Sequence, residues 1–369
     1  MIQQPTILLL IPHLGGGGAE RIMAQLASSL SRDRFAVHLG VMTCPKSGTE
    51  TLPPGVLVHE IGAHRVLFSA LGLLAMVRRL KPDLILCGMF HLSFLVLLLR
   101  PLFPHRTRVL IRQNGMLSQS FALKHSGLIR RLYHATYPKA DGIVCQTDAM
   151  AAEMADLVGS RSKIHVLRNP VDVNGIRTKV ACATSPWGGN GPHLLAMGRL
   201  SGEKGFDLLL EAFAVVLRRY PTADLVILGQ GIEEKRLLDQ REKLGLRACV
   251  RFPGYAAEPT SWFRGANLFV IPSRHDAFPN VLLEAASVGL PIVMTPCSPG
   301  ITGFFRGQPG LWLSPEISSN VLADSILDAL QTLERAQRFE HRWLDPYDLR
   351  DAIPAYEALI QRTLSSQAQ

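Results

Sequence analysis

The sequence predicts an α/β protein of two Rossmann-like domains, and three observations lead there. A chain of 369 residues exceeds the size at which a single hydrophobic core keeps growing, so it divides into domains. Hydrophobic residues make up 47% and charged residues 19%, which supplies large cores and leaves little for long disordered tails. Short β-rich apolar runs alternate with helical stretches from the first residues, the pattern of parallel sheets covered by helices on both faces.

In the first half, strands are expected at Thr6–Pro12, Ala36–Met42, Asp83–Gly88, Arg108–Arg112, Gly142–Cys145 and Ile164–Leu167, with helices in the intervals. The rhythm breaks near Asn169-Pro170-Val171-Asp172, and the turn-forming stretch TSPWGGNGPH at 184–193 reads as the linker. A second series follows: strand His193–Met197, helix Gly205–Arg219, strand Asp224–Leu228, helix Glu233–Leu244, strands Val250–Pro253 and Leu268–Ile271, helix Val281–Ser287 and strand Pro291–Met294. After Trp343 the chain is expected to return to the first domain, with Pro354–Leu364 as a helix packed on it. The domains are therefore expected at 1–175 with 345–369, and at 176–344, facing each other across a cleft. Open parallel sheets bind ligands outside the carboxyl ends of their strands, which makes that cleft the expected site.

The formal charge is +9 and is unevenly spread. Residues 1–175 hold 19 Lys and Arg against 10 Asp and Glu, whereas the rest is balanced at 20 and 20. Between Arg65 and Arg131 eleven basic residues face one acid, Asp83, so an anionic partner is expected there. Nucleic acid fits poorly, because aromatics are sparse along the basic stretch and no recognition motif occurs. The N-terminus lacks a basic n-region before its short apolar run, so no export signal is read. The six cysteines are never closer than 37 residues and form no CxxC pair, as expected of buried thiols in a reducing compartment. Val66–Val77 and Phe90–Leu99 are apolar but too short to span a bilayer, which takes about 20 residues. They read as buried helices, or as a face that dips into lipid.

Three strand-to-helix turns carry candidate chemistry. Gly15-Gly16-Gly17-Gly18-Ala19-Glu20-Arg21 lets the backbone approach a ligand and leads to a helix N-terminus with free N–H groups for an anion. It fails the GxGxxG pattern and lacks the Lys-Ser/Thr of a P-loop, and a plain strand-to-helix turn is the alternative. In Gly198-Arg199-Leu200-Ser201-Gly202-Glu203-Lys204-Gly205, Arg199 and Lys204 can converge on a diphosphate, with simple solvation of both as the alternative. In the segment from Pro272 to Ala285, Pro279 suits the first turn of a helix and leaves the Asn280 and Val281 N–H groups pointing outward. Asp276 precedes that helix. Glu284 lies on it among apolar neighbours, where a carboxylate needs ribose hydroxyls or a salt bridge.

Together these segments resemble a known family. The glycine-rich loop, GRLSGEKGFDLLLEAF and DAFPNVLLEAASVGLPIV, in this order and separation, resemble the retaining, nucleotide-sugar-dependent glycosyltransferases of family 4, which have the two-domain GT-B fold. KPDLILCGMFH at 81–91, YPKADGIVCQTDAM at 137–150, RNPVD at 168–172 and LVILGQG at 225–231 are similar to the family's successive segments, so the likeness covers nearly the whole chain.

The resemblance implies transfer of a sugar, with retention, from a nucleoside-diphosphate sugar to a lipid-linked or saccharide acceptor, as in bacterial polysaccharide and lipopolysaccharide synthesis. It places the acceptor on the first domain and the donor on the second. It implies that Arg199 and Lys204 neutralise the donor diphosphate, helped by Gly16, Gly17 and Gly18 and by the turn Phe278, Pro279, Asn280 and Val281. Glu284 is then the ribose ligand. Asp276 meets the transferred sugar from a position where the family carries Glu, one methylene longer. His91 stands near the reacting sugar, with Gly88 where a second histidine often lies, and Arg112 and Asn114 sit in an acceptor-side loop. The chain contains no D-x-D sequence, so neither a metal nor another cofactor is expected.

Arg65, Arg78, Arg79, Lys81, Arg100, Arg106, Arg108, Lys124, Arg130 and Arg131 lie between or beside the apolar segments, a combination suited to an anionic membrane or a lipid pyrophosphate. A cytoplasmic enzyme, peripheral on the inner face of the cytoplasmic membrane, is the expectation. A solvated basic face with a soluble acceptor is the alternative. A same-fold epimerase or sucrose-synthase-like enzyme and a non-catalytic binding protein are the rival functions. Neither Gly229–Gly231 nor Phe252–Gly254 carries a side chain that identifies the donor's base.

Overall fold

The strand runs of the first half are almost wholly apolar, as strands covered on both faces must be. In the structure, a computed structural model that describes residues 4–14, 17–43, 55–62, 69–121, 126–256, 258–333 and 337–366, they form one parallel sheet. Its strands are β1 (Thr6–His13), β2 (Ala36–Thr43), β3 (Leu57–Glu60), β4 (Leu84–Gly88), β5 (Arg108–Arg112), β6 (Gly142–Cys145) and β7 (Ile164–Val166), in the order β3-β2-β1-β4-β5-β6-β7. A second parallel sheet holds β8 (His193–Met197), β9 (Asp224–Leu228), β10 (Val250–Gly254), β11 (Leu268–Ile271), β12 (Ile292–Met294) and β13 (Leu311–Leu313), in the order β10-β9-β8-β11-β12-β13. Both are doubly wound Rossmann-like sheets. The order reverses between β1 and β4 in one and between β8 and β11 in the other, so each has a switch point where loops diverge and leave a crevice.

The chain divides into Met1–Pro170 with Leu349–Gln369, and Val171–Asp348. The stretch at 184–193, read as the linker, lies inside the second of these units. It begins just after the helix Val173–Cys182, which Asp172 caps by accepting from the Gly175 N–H at 2.8 Å. The second unit's two end segments meet, where the Val171 N–H donates to the Tyr347 carbonyl at 2.8 Å.

The returning helix runs Leu349–Ser365, starting earlier than the expected Pro354. Pro354 is the sixth residue of this helix, inside it, where it supplies no N–H to the intrahelical ladder. Ile353, Tyr356, Leu359 and Ile360 join the core formed by β1, β2 and the helix Gly18–Ser29. Glu357 fastens it, accepting from the Ser31 N–H at 2.8 Å and pairing with Arg34. Phe90–Leu99 is a helix with Leu92, Phe94, Val96 and Leu97 buried, and Val66–Val77 contributes to the helix Ala70–Leu80, residues 63–68 lying outside the described residues. Among the described residues no helix is long and apolar enough to cross a membrane.

Candidate functional site

In the second unit the two loops that leave the switch point are tied together. β8 ends at Met197, and the turn after it closes on Gly205, whose φ of 67° is a left-handed conformation. A Cβ there would lie 2.0 Å from the Pro272 carbonyl oxygen just beyond β11, so only glycine lets the loops approach this closely. The Arg274 N–H donates to the Glu203 carbonyl at 2.8 Å, and Arg274 Nη1 to the Gly202 carbonyl at 3.0 Å. The same guanidinium grips Asp207 through both oxygens, at 2.7 and 2.8 Å, in the fork geometry that fixes orientation as well as distance.

This framework brings Lys204 and Asp276 together. The Lys204 ammonium donates to Asp276 Oδ2, while Asp276 Oδ1 accepts from the Phe278 N–H at 3.2 Å. One carboxylate therefore holds both a cation and the turn that starts the helix Asn280–Ser287. Pro279 stands one place before that helix instead of in its first turn, with ψ of 117°. Phe278 is buried and stacks on Tyr347, rings 5.2 Å apart and 13° from parallel, which anchors the turn from behind. Glu284 is buried one turn into the helix. Arg199 is exposed at the mouth of the turn. Burial raises the pKa of Glu203, but hydrogen bonds from Ser201 and its own backbone, with the charges of Lys204 and Arg199, outweigh this and lower it. Burial pushes the Cys297 thiol beside Asp276 up to about 12, so it stays neutral.

The glycine-rich turn of the first unit is less open to an anion. Gly17 precedes the helix Gly18–Ser29 in an extended conformation, and Glu20 in the first turn is 4% exposed. A Cβ on Gly17 would lie 2.0 Å from Glu20 Oε2, so the chain's own carboxylate already sits against this N-terminus. Gly16 lies outside the described residues.

At the carboxyl ends of β4 and β5 the first unit holds a polar network. Arg112 is 1% exposed, and its partners are amide oxygens: Nη1 donates to Asn114 Oδ1 and Nη2 to Asn169 Oδ1 at 2.6 Å. Asn169 Nδ2 donates to Gln146 Oε1 at 3.3 Å, and Gln146 Nε2 to Asn114 Oδ1 at 3.4 Å. The guanidinium is enclosed, and half-buried Asn114 is the member nearer the surface. Asn114 Nδ2 in turn donates to Met89 Sδ at 3.5 Å. Met89 immediately precedes the helix Phe90–Leu99, which carries His91 on its exposed face. Desolvation lowers the His91 pKa below that of an ordinary imidazole. The reading of motifs assigned no role to Arg274, Asp207, Gln146, Asn169 or Met89, although all lie in the quoted segments.

Among the described basic residues of the first half, several are engaged by acids. Arg100 and Arg108 converge on Asp141 at 2.7 and 3.1 Å, and Arg106 approaches Asp83 at 3.6 Å. Asp141, Arg108 and Asp83 stand at the amino ends of β6, β5 and β4, away from the strand ends that carry the site. On the helix Ser126–Thr136, Leu128 at 62% exposure accompanies exposed Arg130 and Arg131. Arg65 and Lys124 lie outside the described residues. Among the described residues no cluster of three or more His, Cys, Asp or Glu is arranged to hold a metal.

Two doubly wound units, the second with cations and a helix N-terminus at its switch point, are the architecture of GT-B proteins. Comparison with known proteins agrees: the family described as Glycosyltransferase Family 4 matches residues 16–174, and Glycosyl transferases group 1 matches residues 183–342. The chain belongs to the family 4, group 1 glycosyltransferases and uses a nucleotide-sugar donor. It is 27% identical to the lipopolysaccharide core biosynthesis glycosyltransferase LpsE of Rhizobium meliloti, over 81% of this chain and 82% of that one. It is 27% identical to the N-acetylgalactosamine-N,N'-diacetylbacillosaminyl-diphospho-undecaprenol 4-alpha-N-acetylgalactosaminyltransferase of Campylobacter jejuni, over 88% and 89%. A 34% match to an uncharacterised glycosyltransferase of Haemophilus influenzae spans 29% of this chain and 31% of that relative. The Anabaena protein HepE, solved with UDP and glucose, shares the fold with a TM-score of 0.78 at 19% identity, over 96% and 99% of the two chains.

Proposed function

We propose that this enzyme transfers a sugar, with retention, to a lipid-linked or saccharide acceptor in cell-surface glycan synthesis, with the second unit holding the donor and the first the acceptor. The observation that carries the donor assignment is the joint placement of Lys204 and the Phe278–Val281 turn at the β8/β11 switch point. As the bond from sugar C1 to the diphosphate breaks, negative charge develops on the departing phosphate oxygens. Lys204, Arg199 and the first N–H groups of the helix Asn280–Ser287 are aimed where that charge grows, and stabilise the transition state more than the ground state. This set neutralises the charge without a metal ion. Glu284 holds the ribose hydroxyls.

His91 lies beyond β4 and, kept neutral by desolvation, offers one ring N–H donor and one acceptor to the transferred sugar. Asp276 is shared between Lys204 and the turn, and in the donor complex it faces the transferred sugar. Asn114 presents the acceptor loop, with Arg112 behind it. The names of the Rhizobium and Campylobacter relatives support a lipopolysaccharide-type or lipid-diphosphate-linked acceptor. Leu128, Arg130 and Arg131 provide a small apolar and cationic contact for an anionic membrane on the cytoplasmic side.

The test is incubation with a panel of nucleotide sugars and undecaprenyl-diphosphate-linked or free saccharide acceptors, following release of UDP, GDP or ADP. One donor is expected to be consumed by the wild type and spared by Lys204→Ala. No turnover of any donor, together with no change on Lys204→Ala in nucleotide binding, would falsify the reading.

A further inference from the structure

Among the described residues, two that are not glycine have positive φ. Lys81, at φ 46° and ψ 53°, is an ordinary left-handed helix C-cap. Met89, at φ 95° and ψ 117°, falls outside the left-handed well and has no such explanation in local geometry. Backbone held in a sparsely populated region persists only where its surroundings over-determine it, and such positions cluster at functional sites. Met89 stands between buried Gly88 at the end of β4 and the first turn of the helix that carries His91.

Its surroundings grip it from two sides. Its carbonyl accepts from the Ser93 N–H at 2.9 Å and from Ser93 Oγ at 3.0 Å. Its sulfur accepts from Asn114 Nδ2 at 3.5 Å. The orientation of that amide follows from Arg112. A guanidinium donates only, so Asn114 must turn its oxygen toward Arg112, and Gln146 approaches that oxygen too. The NH2 group is thereby pointed at Met89. Gly88 borders this contact: a Cβ there would lie 3.7 Å from Asn114 Nδ2, an ordinary contact, and 3.2 Å from the Met23 side chain. Arg112 gains a reason to be a buried cation with amide partners: it fixes a side-chain orientation.

We propose that Asn114, with its amide set by Arg112, is a positioning residue that holds the strained Met89 turn and through it the pose of His91. The inference rests on the proposed role of His91 in catalysis. Asn114→Asp separates this role from simple support of the fold, because a carboxylate still accepts from Arg112, and more strongly, while the donor to Met89 is lost.

The experiment compares Asn114→Asp, His91→Ala and the double variant, with the nucleotide sugar turned over fastest in the panel. Expected for Asn114→Asp are a thermal midpoint at or above the wild type, a donor KM within twofold, and kcat about tenfold lower. In the His91→Ala background the same change is expected to cost nothing further, since residues that act as a unit are not additive. A full kcat in Asn114→Asp, or an equal loss with His91 absent, overturns the inference and leaves the role of His91 standing. A full kcat in His91→Ala overturns that role and the inference with it. Without any substrate, the His91 Cε1–H resonance at pH 8 is expected to broaden or double in Asn114→Asp; an unchanged line is the contrary result. Met89→Leu, which removes only the sulfur acceptor, reads the same coupling if Asn114→Asp fails to fold.

Discussion

Lys204 and Asp276, 72 positions apart, form an ion pair across the β8/β11 switch point, and the same carboxylate holds the Phe278 N–H. In the proposed donor complex, the diphosphate would meet the same ammonium that Asp276 holds. The diphosphate and Asp276 therefore compete for Lys204.

Asp276→Asn is expected to bind the free nucleoside diphosphate more tightly, on the order of tenfold or ~1.4 kcal/mol, while kcat falls. Lys204→Ala should do the opposite to binding and lower kcat/KM by about 10²–10³, the usual loss when one fixed charge is removed from a developing anion. Isothermal titration with UDP, GDP and ADP, beside steady-state rates, separates the two. Weaker binding in Asp276→Asn would mean that the carboxylate organises the phosphate site and does not compete with it.

Gly205→Ala should unfold at markedly lower urea, by about 2–4 kcal/mol, because a Cβ meets the Pro272 carbonyl at 2.0 Å and φ is 67°. Equilibrium unfolding measures this directly. Gly202→Ala, with nothing within 4 Å of its Cβ, is the control and should cost about 1 kcal/mol or less.

Acid should loosen the second unit through Asp207. Burial raises its pKa, but the hydrogen bonds and charge of Arg274, with Arg236 behind, outweigh that and leave it depressed. The unfolded carboxyl then binds its proton more readily than the folded one, so this stabilisation is complete above about pH 4 and is lost as the pH falls below. Arg274 is partly solvated, which limits the gain to about 1 kcal/mol. Asp207→Asn should flatten the stability profile between pH 5 and pH 2; an unaltered acid limb would assign it elsewhere.

If neutral His91 is the working form, kcat should hold from pH 8 down to about 6.5 and fall only below it, since desolvation depresses its pKa. His91→Gln, which cannot titrate, should retain a small rate without that acid limb. The pH dependence of kcat at saturating donor distinguishes them.

Arg130→Ala with Arg131→Ala should abolish sedimentation with phosphatidylglycerol vesicles at low salt, at about 1 kcal/mol per cation near the surface. Arg100→Ala should matter less, because its guanidinium is tied, with that of Arg108, to Asp141 at the amino end of β6. Absence of binding by the wild type at every salt concentration would remove the membrane from the proposal.

The central strands could be read from the chain because burial on both faces leaves an uninterrupted apolar run, as in Ile7 to Ile11 and Leu84 to Cys87. β3 escaped notice because Leu57-Val58-His59-Glu60 lies at a sheet edge with both ends exposed, and β13 because three residues are too few to show a period. The site divides the same way. Its motifs sit at strand-to-helix turns, where glycine, proline and acid leave a local signature that survives in one dimension.

Composition and local pattern alone thus determined two α/β units, the turns that carry chemistry and the family they resemble, since those depend on short-range sterics and hydrophobic period. Folding in three dimensions decided which of the basic residues are engaged and by what. It enclosed Arg112 among amides that include Asn169, turned Asn114 toward Met89 and gave Lys204 to Asp276. Such pairings join residues far apart in the chain, so they arise only when parallel strands bring their ends to one edge. Burial then demands that every charge gathered there find a partner.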